Sequence, residues 1–133
     1  MTTPSGYRGY IASRPISGNR TAQHVQNLVI RDYAQRHGLL YKLSATEYAM
    51  PGCYMMLCEV MQELPTLEGV IAFSMFMLPP NRPVRHELYD AVLGGSKSLH
   101  FALEAFAVKT PADVQRVEDI WMIERATRKP VGV

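Results

Sequence analysis

The stretch LSATEYAMPGCYMML, residues 43–57, joins the end of one expected element to the start of the next, and the fold prediction starts from it. The apolar residues before it are typical of a buried strand, and the methionine-rich residues after it are typical of a buried helix. Pro51-Gly52 predicts the turn between the two. Reactive side chains crowd this corner, namely Thr46, Glu47, Tyr48, Cys53 and Tyr54. Polar groups at a strand-to-helix corner are well placed to meet a ligand.

The same alternation of strand and helix continues along the chain. Strands are expected at residues 7–13, 39–45, 69–78 and 99–108, and helices at 21–37, 53–64, 82–93 and 110–128. The apolar run 69–78 is typical of a central parallel strand covered on both faces. The pattern therefore predicts an α/β fold: a four-stranded, mostly parallel sheet with helices on both faces, in a flavodoxin-like three-layer sandwich.

Composition limits the class of protein. The chain has 133 residues, 47% of them hydrophobic and 20% charged, which predicts one domain, 1–133, with a flexible tail at 1–6. The net charge of +2 is mild, so we expect no nucleic acid partner. Apolar surface on the last helix, residues 110–128, beyond its core face predicts a homo-oligomer contact.

Cysteine and histidine spacing bears on location and cofactors. Cys53 and Cys58 point in different directions on one helix, so no disulfide is expected and a cytoplasmic location is predicted. No apolar run approaches the ~20 residues that span a bilayer, so no membrane partner is expected. The four histidines lack metal-ligand spacing, and no nucleotide motif is present, so neither metal nor cofactor is predicted.

Ligands of open α/β sheets bind beyond the carboxyl ends of the strands, so the residues at these corners are candidates for a site. The residues around the first corner either bind an anion at the first helix or are solvated loop residues. The predicted substrate-binding set is Tyr10, Ser13, Arg14, Asn19, Arg20, Gln23, Tyr54 and Arg82.

Five residues are candidates for proton transfer or nucleophilic attack. Glu47 and Tyr48 are either an acid/base pair or, for Glu47, a cap of the next helix. Cys53 is either a nucleophile at a helix start or a small core residue. His100 and Glu104 lie on one face of the last expected strand. They either form part of a site or make a satisfied contact in the core.

Long segments of the chain resemble the sporadic carbohydrate cluster protein family. The resemblance covers residues 8–14, 25–33, 43–57 and 99–104. It implies an association with bacterial surface-carbohydrate clusters and a step in making an unusual sugar. It implies no particular reaction and no catalytic residue.

Gly9-Tyr10-Ile11, the glutamine-containing first helix and the order of elements are also similar to the catalytic domain of resolvase-type serine recombinases. That resemblance implies a resolvase-like parallel sheet and a long C-terminal dimer helix. The family carries Tyr-x-Arg-x-Ser on its first strand, whereas the matching positions here are Tyr10, Ala12 and Arg14. The Asp-Arg expected after the third strand is replaced by residues 74–78. DNA strand exchange is therefore not expected.

Taken together, the sequence favours a cofactor-independent isomerase, epimerase or lyase acting on a sugar phosphate or nucleotide sugar. Arg14 and Arg20 would hold the anion, and Glu47 with Tyr48 would move protons. One alternative is a non-catalytic binding or scaffold subunit of a carbohydrate-biosynthesis complex. Another is a degenerate recombinase-like domain that binds DNA.

Overall fold

The computed structural model describes residues 3–127 of the chain. Five strands and four α-helices alternate along these residues, except that the last two strands follow each other directly. The strands are β1 (Tyr7–Ala12), β2 (Tyr41–Glu47), β3 (Gly69–Ala72), β4 (Ser98–Phe101) and β5 (Phe106–Val108). The helices are α1 (Gln23–Arg36), α2 (Met55–Gln62), α3 (Arg82–Gly94) and α4 (Pro111–Thr127).

The strands form one mixed sheet in the order β2-β1-β3-β4-β5. β1 to β4 are parallel, and β5 pairs with β4 in the antiparallel direction. Every residue of β3 and β4 is buried, as expected for central strands whose two faces are both covered. The α/β prediction is therefore confirmed, with five strands in place of four.

The extra strand comes from a turn inside the expected last strand. Residues 102–105 reverse the chain, and Ala105 adopts a left-handed φ of 53° there. Ala105 N donates to Ala102 O and closes the turn at 3.3 Å. The predicted strand 99–108 is therefore wrong as a single element, because its apolar halves pair with each other.

The apolar run 69–78 also divides. β3 ends at Ala72, and Met75–Met77 form a 3₁₀ turn with Met75 and Met77 buried. Ser74 Oγ caps this turn by accepting from Phe76 N at 3.2 Å. Burial without strand pairing explains why hydrophobicity alone overestimated the length of β3.

Helix α1 buries a different face from the one expected. Val25, Leu28, Val29 and Tyr33 are apolar residues at helical spacing and so predict a core face. In the structure, however, Leu28 is 61% exposed, and the buried residues are Gln26, Ile30, Tyr33 and Ala34. Thr21, the first residue of the expected helix and a residue type that often caps helices, is not the N-cap, because the helix begins at Gln23 after Ala22. Gln26 is therefore the first buried residue on the face of α1 that contacts the core.

Helix α4 packs Val114, Val117 and Trp121 into the core, in agreement with their helical spacing in the sequence. Met122 and Ile123 are 63% and 62% exposed, so the predicted oligomer contact stays a prediction. Residue 128 of the expected helix lies outside the described residues. At the other end, Ser5 N and Gly6 N donate to Thr66 O and Glu68 Oε2, so these two residues of the expected tail are anchored. Within residues 3–127, no helix is long and apolar enough to cross a membrane.

Candidate functional site at the carboxyl edge of the sheet

Glu47 is the last residue of β2, and only 2% of its surface is exposed. Its Oε1 accepts from Tyr10 Oη at 2.8 Å and from Leu57 N at 3.1 Å. Its Oε2 accepts from Tyr48 N and Met56 N, each at 3.1 Å. One carboxylate therefore ties β1 and β2 to the first turn of α2.

The pKa values at this corner follow from that geometry. Burial alone would raise the pKa of Glu47, but hydrogen bonds from Met56 N, Tyr10, Leu57 N and Tyr48 N lower it below its ordinary value. Burial, and then the hydrogen bond to Glu47, raise the pKa of Tyr10 far above its usual value. Glu47 is therefore an ionised helix cap at neutral pH, which is the structural alternative that the sequence left open.

Arg14 reaches the same corner from the end of β1. Its Nη1 donates to Cys53 O at 2.6 Å, and its guanidinium lies 4.5 Å from the centre of the Tyr54 ring. Its Nη2 is buried without a hydrogen-bond partner. Cys53 Sγ lies 3.8 Å from Glu47 Oε2. The structure thus brings together Tyr10, Arg14, Glu47, Cys53 and Tyr54, which the sequence had placed in one site.

His100 and Glu104 do not form the expected pair. His100 is buried, with its Nδ1 2.7 Å from Tyr33 Oη and its Nε2 2.9 Å from Ser98 Oγ. Burial is the main cause that lowers the pKa of His100 to about 4. Glu104 instead follows β4 in the turn, where its carboxylate accepts from Ser74 Oγ at 2.7 Å and Met75 N at 2.8 Å. The pair was predicted from the alternation of side chains along one strand, but β4 ends at Phe101, so Glu104 is no longer on that strand.

Glu104 closes one end of a groove that runs along α4, which we call the α4 groove. It consists of three adjoining cavities of about 260, 250 and 290 Å³ that share lining residues. The first and second share Ser17, Phe76 and Glu124. The second and third share Trp121 and Arg125. Burial raises the pKa of Glu104 at this end.

The loop between β1 and α1 shapes the groove. Ser17 and Gly18 both have left-handed φ, 51° and 80°, and Ile16 and Asn19 exchange backbone hydrogen bonds across them. That geometry is the tight turn that normally favours glycine or asparagine. Gln26 anchors the loop, because its side chain donates to Ala12 O and Thr21 O and accepts from Ala12 N.

A buried ion pair forms the floor at the other end. Arg85 donates to both carboxylate oxygens of Glu118 at 2.8 Å, and Tyr89 Oη donates to the same carboxylate at 2.7 Å. The Arg85 guanidinium lies 4.2 Å from the centre of the Trp121 ring. Glu118 is thus neutralised beneath the groove, and Arg82 lies above it with a largely exposed side chain.

Some of the residues that the sequence predicted as ligand contacts line the α4 groove, and others do not. Asn19 lines the groove next to Glu104, and Arg82 lines its far end, as candidate ligand residues would. Ser13 is half-buried, whereas Arg20 and Gln23 are exposed and Tyr48 points outwards. Sequence reasoning missed the roles of four residues: Gln26, Arg85, Glu118 and Arg125. The spacing of Gln26 with Ile30, Tyr33 and Ala34 was the available signal for the first of them.

Comparisons with solved structures identify the architecture. The N-terminal catalytic domain of TP901-1 integrase is similar with a TM-score of 0.60 and 12% identity, over 92% of this chain and 99% of that one. A resolvase family site-specific recombinase from Streptococcus pneumoniae has a TM-score of 0.64 and 11% identity, over 90% and 89% of the two chains. The fold is that of a resolvase-type recombinase catalytic domain. A scan against protein-family models and a search of curated proteins found no match.

These findings confirm the resolvase-like fold and correct the functional expectation. The carbohydrate-cluster resemblance gains no support, because the structural neighbours are site-specific recombinases and not enzymes of sugar metabolism. The expectation of an isomerase, epimerase or lyase with a sugar phosphate or nucleotide sugar as its partner is therefore wrong. The expectation of no nucleic acid partner is overturned by the same neighbours. The roles assigned to individual site residues stay predictions.

Proposed function

We propose that this chain is a recombinase-fold domain that binds double-stranded DNA along the α4 groove and does not cut it. The observation that carries the proposal is the fold shared with two recombinases across about nine tenths of the chain. The net charge of +2 predicted no nucleic acid partner, because a total over the whole chain does not show which arginines lie close together. The proposal has two parts, binding and the lack of cleavage, which rest on different residues.

The lack of cleavage rests on β1. Where the resemblance places an arginine and a nucleophilic serine, the chain has Ala12 and Arg14. Ala12 is 1% exposed and has no group that could contact a phosphate. Arg14 cannot replace a serine nucleophile, since the nitrogen lone pairs of a guanidinium are delocalised over the cation and do not attack phosphorus. Strand transfer through the residues of that motif therefore has no chemical basis in this chain.

The binding surface rests on arginines at the carboxyl edge. Arg82 begins α3, where the helix dipole also favours a phosphate, and Arg125 lies on the last turns of α4. Both line the α4 groove. Arg85 pairs with Glu118 at 2.8 Å, and Arg82 lies 3.7 Å from the same carboxylate. Against this one acid, Arg82, Arg85 and Arg125 leave this end of the groove with a net positive charge. In sequence, Arg128 and Lys129 add two further positive charges after α4.

The test is fluorescence anisotropy with a labelled duplex of about 30 bp at several salt concentrations. If two to four phosphates are contacted, the logarithm of the binding constant should fall against the logarithm of salt with a slope of about −2 to −4. The double variant Arg82→Ala/Arg125→Ala should bind more weakly and lower the slope by about 2. Arg116→Ala is the matched control, because Arg116 is an exposed arginine on the same helix, nine residues before Arg125 and outside the groove.

Two outcomes would contradict the proposal. Absence of binding at about 50 mM salt, or equal loss in the Arg116→Ala control, would refute the groove as a DNA surface. Cleavage is measured separately on supercoiled plasmid in the presence of the intact chain. Conversion of the plasmid to nicked circles that carry covalently bound protein would refute the non-cutting part and leave the binding part standing.

A further inference from the structure

A second polar cavity lies at the amino-terminal edge of the sheet, opposite the α4 groove. We call it the amino-edge pocket. It has a volume of about 510 Å³, and the residues that matter here are Tyr7, Glu68, Ser96, Lys97, Ser98 and Lys109. They come from the starts of β1 and β4, from the residue before β3, and from the ends of α3 and β5. Nothing in the proposed DNA surface uses this cavity.

The lining of the pocket carries two lysines against one carboxylate, and Asp113, which interacts with Lys109, lies outside the lining. Lys97 is half-buried and Lys109 is exposed, and the ion pairs found among residues 3–127 involve neither of them. Glu68 is the one carboxylate in the lining, and its Oε2 already accepts from Gly6 N at 2.8 Å. Ser96 adopts a left-handed φ of 57° at the end of α3, a conformation that non-glycine residues rarely hold. Two lysines and two serines thus line one cavity.

A buried hydrogen-bonded chain leads inward from the pocket. Ser98 Oγ donates to Tyr7 Oη at 3.4 Å and lies 2.9 Å from His100 Nε2, while Tyr33 Oη lies 2.7 Å from His100 Nδ1. Tyr7 also packs edge-on against the imidazole, with 5.3 Å between the ring centres. A residue of the pocket wall, Ser98, therefore contacts the buried histidine directly.

We propose that the amino-edge pocket binds a small phosphate monoester that also carries an amino or hydroxyl group. A phosphate presents several acceptor oxygens, which match the ammonium groups of Lys97 and Lys109 and the hydroxyl of Ser96. Ser98 Oγ is not counted as a donor to the ligand, because it already donates to Tyr7 Oη. Glu68 has acceptor capacity left for an amino or hydroxyl group elsewhere on the ligand. The volume is within the range of small-molecule sites.

The pKa of His100 should change when a ligand occupies the amino-edge pocket. The charges that face His100 are Lys109 after β5 and His37 from α1, and Tyr7 and Tyr33 are its titratable neighbours on β1 and α1. Burial, then Lys109, then His37 hold the pKa of His100 down at about 4. A bound phosphate would offset the charge of Lys109, so the pKa of His100 should rise when the pocket fills.

The experiment uses the full chain and phosphoethanolamine, inorganic phosphate and ethanolamine as probes in isothermal titration calorimetry. Phosphoethanolamine should bind more tightly than phosphate, and ethanolamine should not bind. Lys97→Ala/Lys109→Ala should weaken binding of both phosphates by about a hundredfold, which is about tenfold, or roughly 1.4 kcal/mol, for each ammonium group removed. Glu68→Gln should remove the advantage of phosphoethanolamine over phosphate.

Arg31→Ala/Arg116→Ala is the control, because it removes two exposed positive charges outside the pocket lining. In ¹H–¹⁵N spectra at about pH 5, phosphoethanolamine should move the His100 imidazole signals and leave those of His24 unmoved. No saturable binding, equal weakening in the control, or equal binding of ethanolamine would overturn the proposal. DNA is tested separately: Lys97→Ala/Lys109→Ala should leave duplex affinity unchanged, and a loss there would assign the lysines to a DNA backbone instead.

Discussion

Replacing Glu47 with glutamine tests whether this carboxylate is a structural cap. Glutamine keeps one acceptor oxygen but directs an NH₂ group at two of the four donors that Glu47 now satisfies. If Tyr10 and Leu57 N keep the oxygen, Tyr48 N and Met56 N lose their acceptor. Each lost bond to a charged acceptor costs about 1.5–3 kcal/mol, and the two N–H groups are partly buried, so we expect a loss of roughly 3–5 kcal/mol.

Urea unfolding followed by circular dichroism measures this loss. With a slope of about 1–3 kcal/mol per molar urea, the midpoint should fall by roughly 2 M at about pH 7. Tyr10→Phe is the graded control, because it removes one donor and leaves the carboxylate intact. It should cost about half as much as Glu47→Gln.

The pH dependence gives the same prediction a second readout. The pKa of Glu47 is lower in the folded chain than the ordinary value of about 4.3, so its contribution is present above that pH. The contribution is lost as the pH falls through the folded pKa. The difference in stability between the unsubstituted chain and the Glu47→Gln variant should therefore shrink below about pH 4. A midpoint shift under about 0.5 M at neutral pH, or a difference that persists in strong acid, would refute the cap.

Three further predictions concern the core. Glu118→Ala should lose about 3–5 kcal/mol in urea unfolding, because it leaves the Arg85 guanidinium buried and unpaired, whereas a loss below about 1 kcal/mol would contradict the buried pair. His100 is kept neutral in the folded chain by a pKa of about 4, against about 6.5 in the unfolded chain. The free energy of unfolding should therefore fall by about 3 kcal/mol as the pH drops from about 6.5 to about 4. His100→Gln should flatten that pH dependence, and an unchanged dependence would contradict the prediction. Gly69→Ala should unfold the chain or cost about 3 kcal/mol, because the added Cβ would overlap with Ser98 O. The control is Gly94→Ala, whose added Cβ has no atom within 4 Å, so its melting temperature should not fall.

Much of the fold could be predicted from local pattern. Gly38 closes α1 with a left-handed φ of 66°, and Arg82 begins α3 at the predicted residue. Pro111 opens α4 as expected, because proline suits the first turn of a helix. The order of strands and helices follows from these boundaries, and an alternating order favours a parallel sheet.

Partners across the sheet could not be predicted in the same way. Glu47 meets Tyr10 across 37 residues of sequence, and Ser74 meets Glu104 across 30. Whether a carboxylate is an acid/base group or a cap depends on which donors the fold turns towards it. For Glu47 these are backbone N–H groups of α2, which have no residue-specific signal in sequence.

The sequence by itself determined where the chain alternates between strand and helix and which residues the first strand lacks. Those properties are local, because they depend on apolar spacing, turn residues and the identities of Ala12 and Arg14. Only the tertiary structure decided that β5 runs antiparallel and that Gln26 is buried. Only it placed Arg82 and Arg125 along one groove and Lys97 and Lys109 around another pocket. The physical reason is that a site depends on distances between residues far apart in sequence, and packing of the whole chain sets those distances.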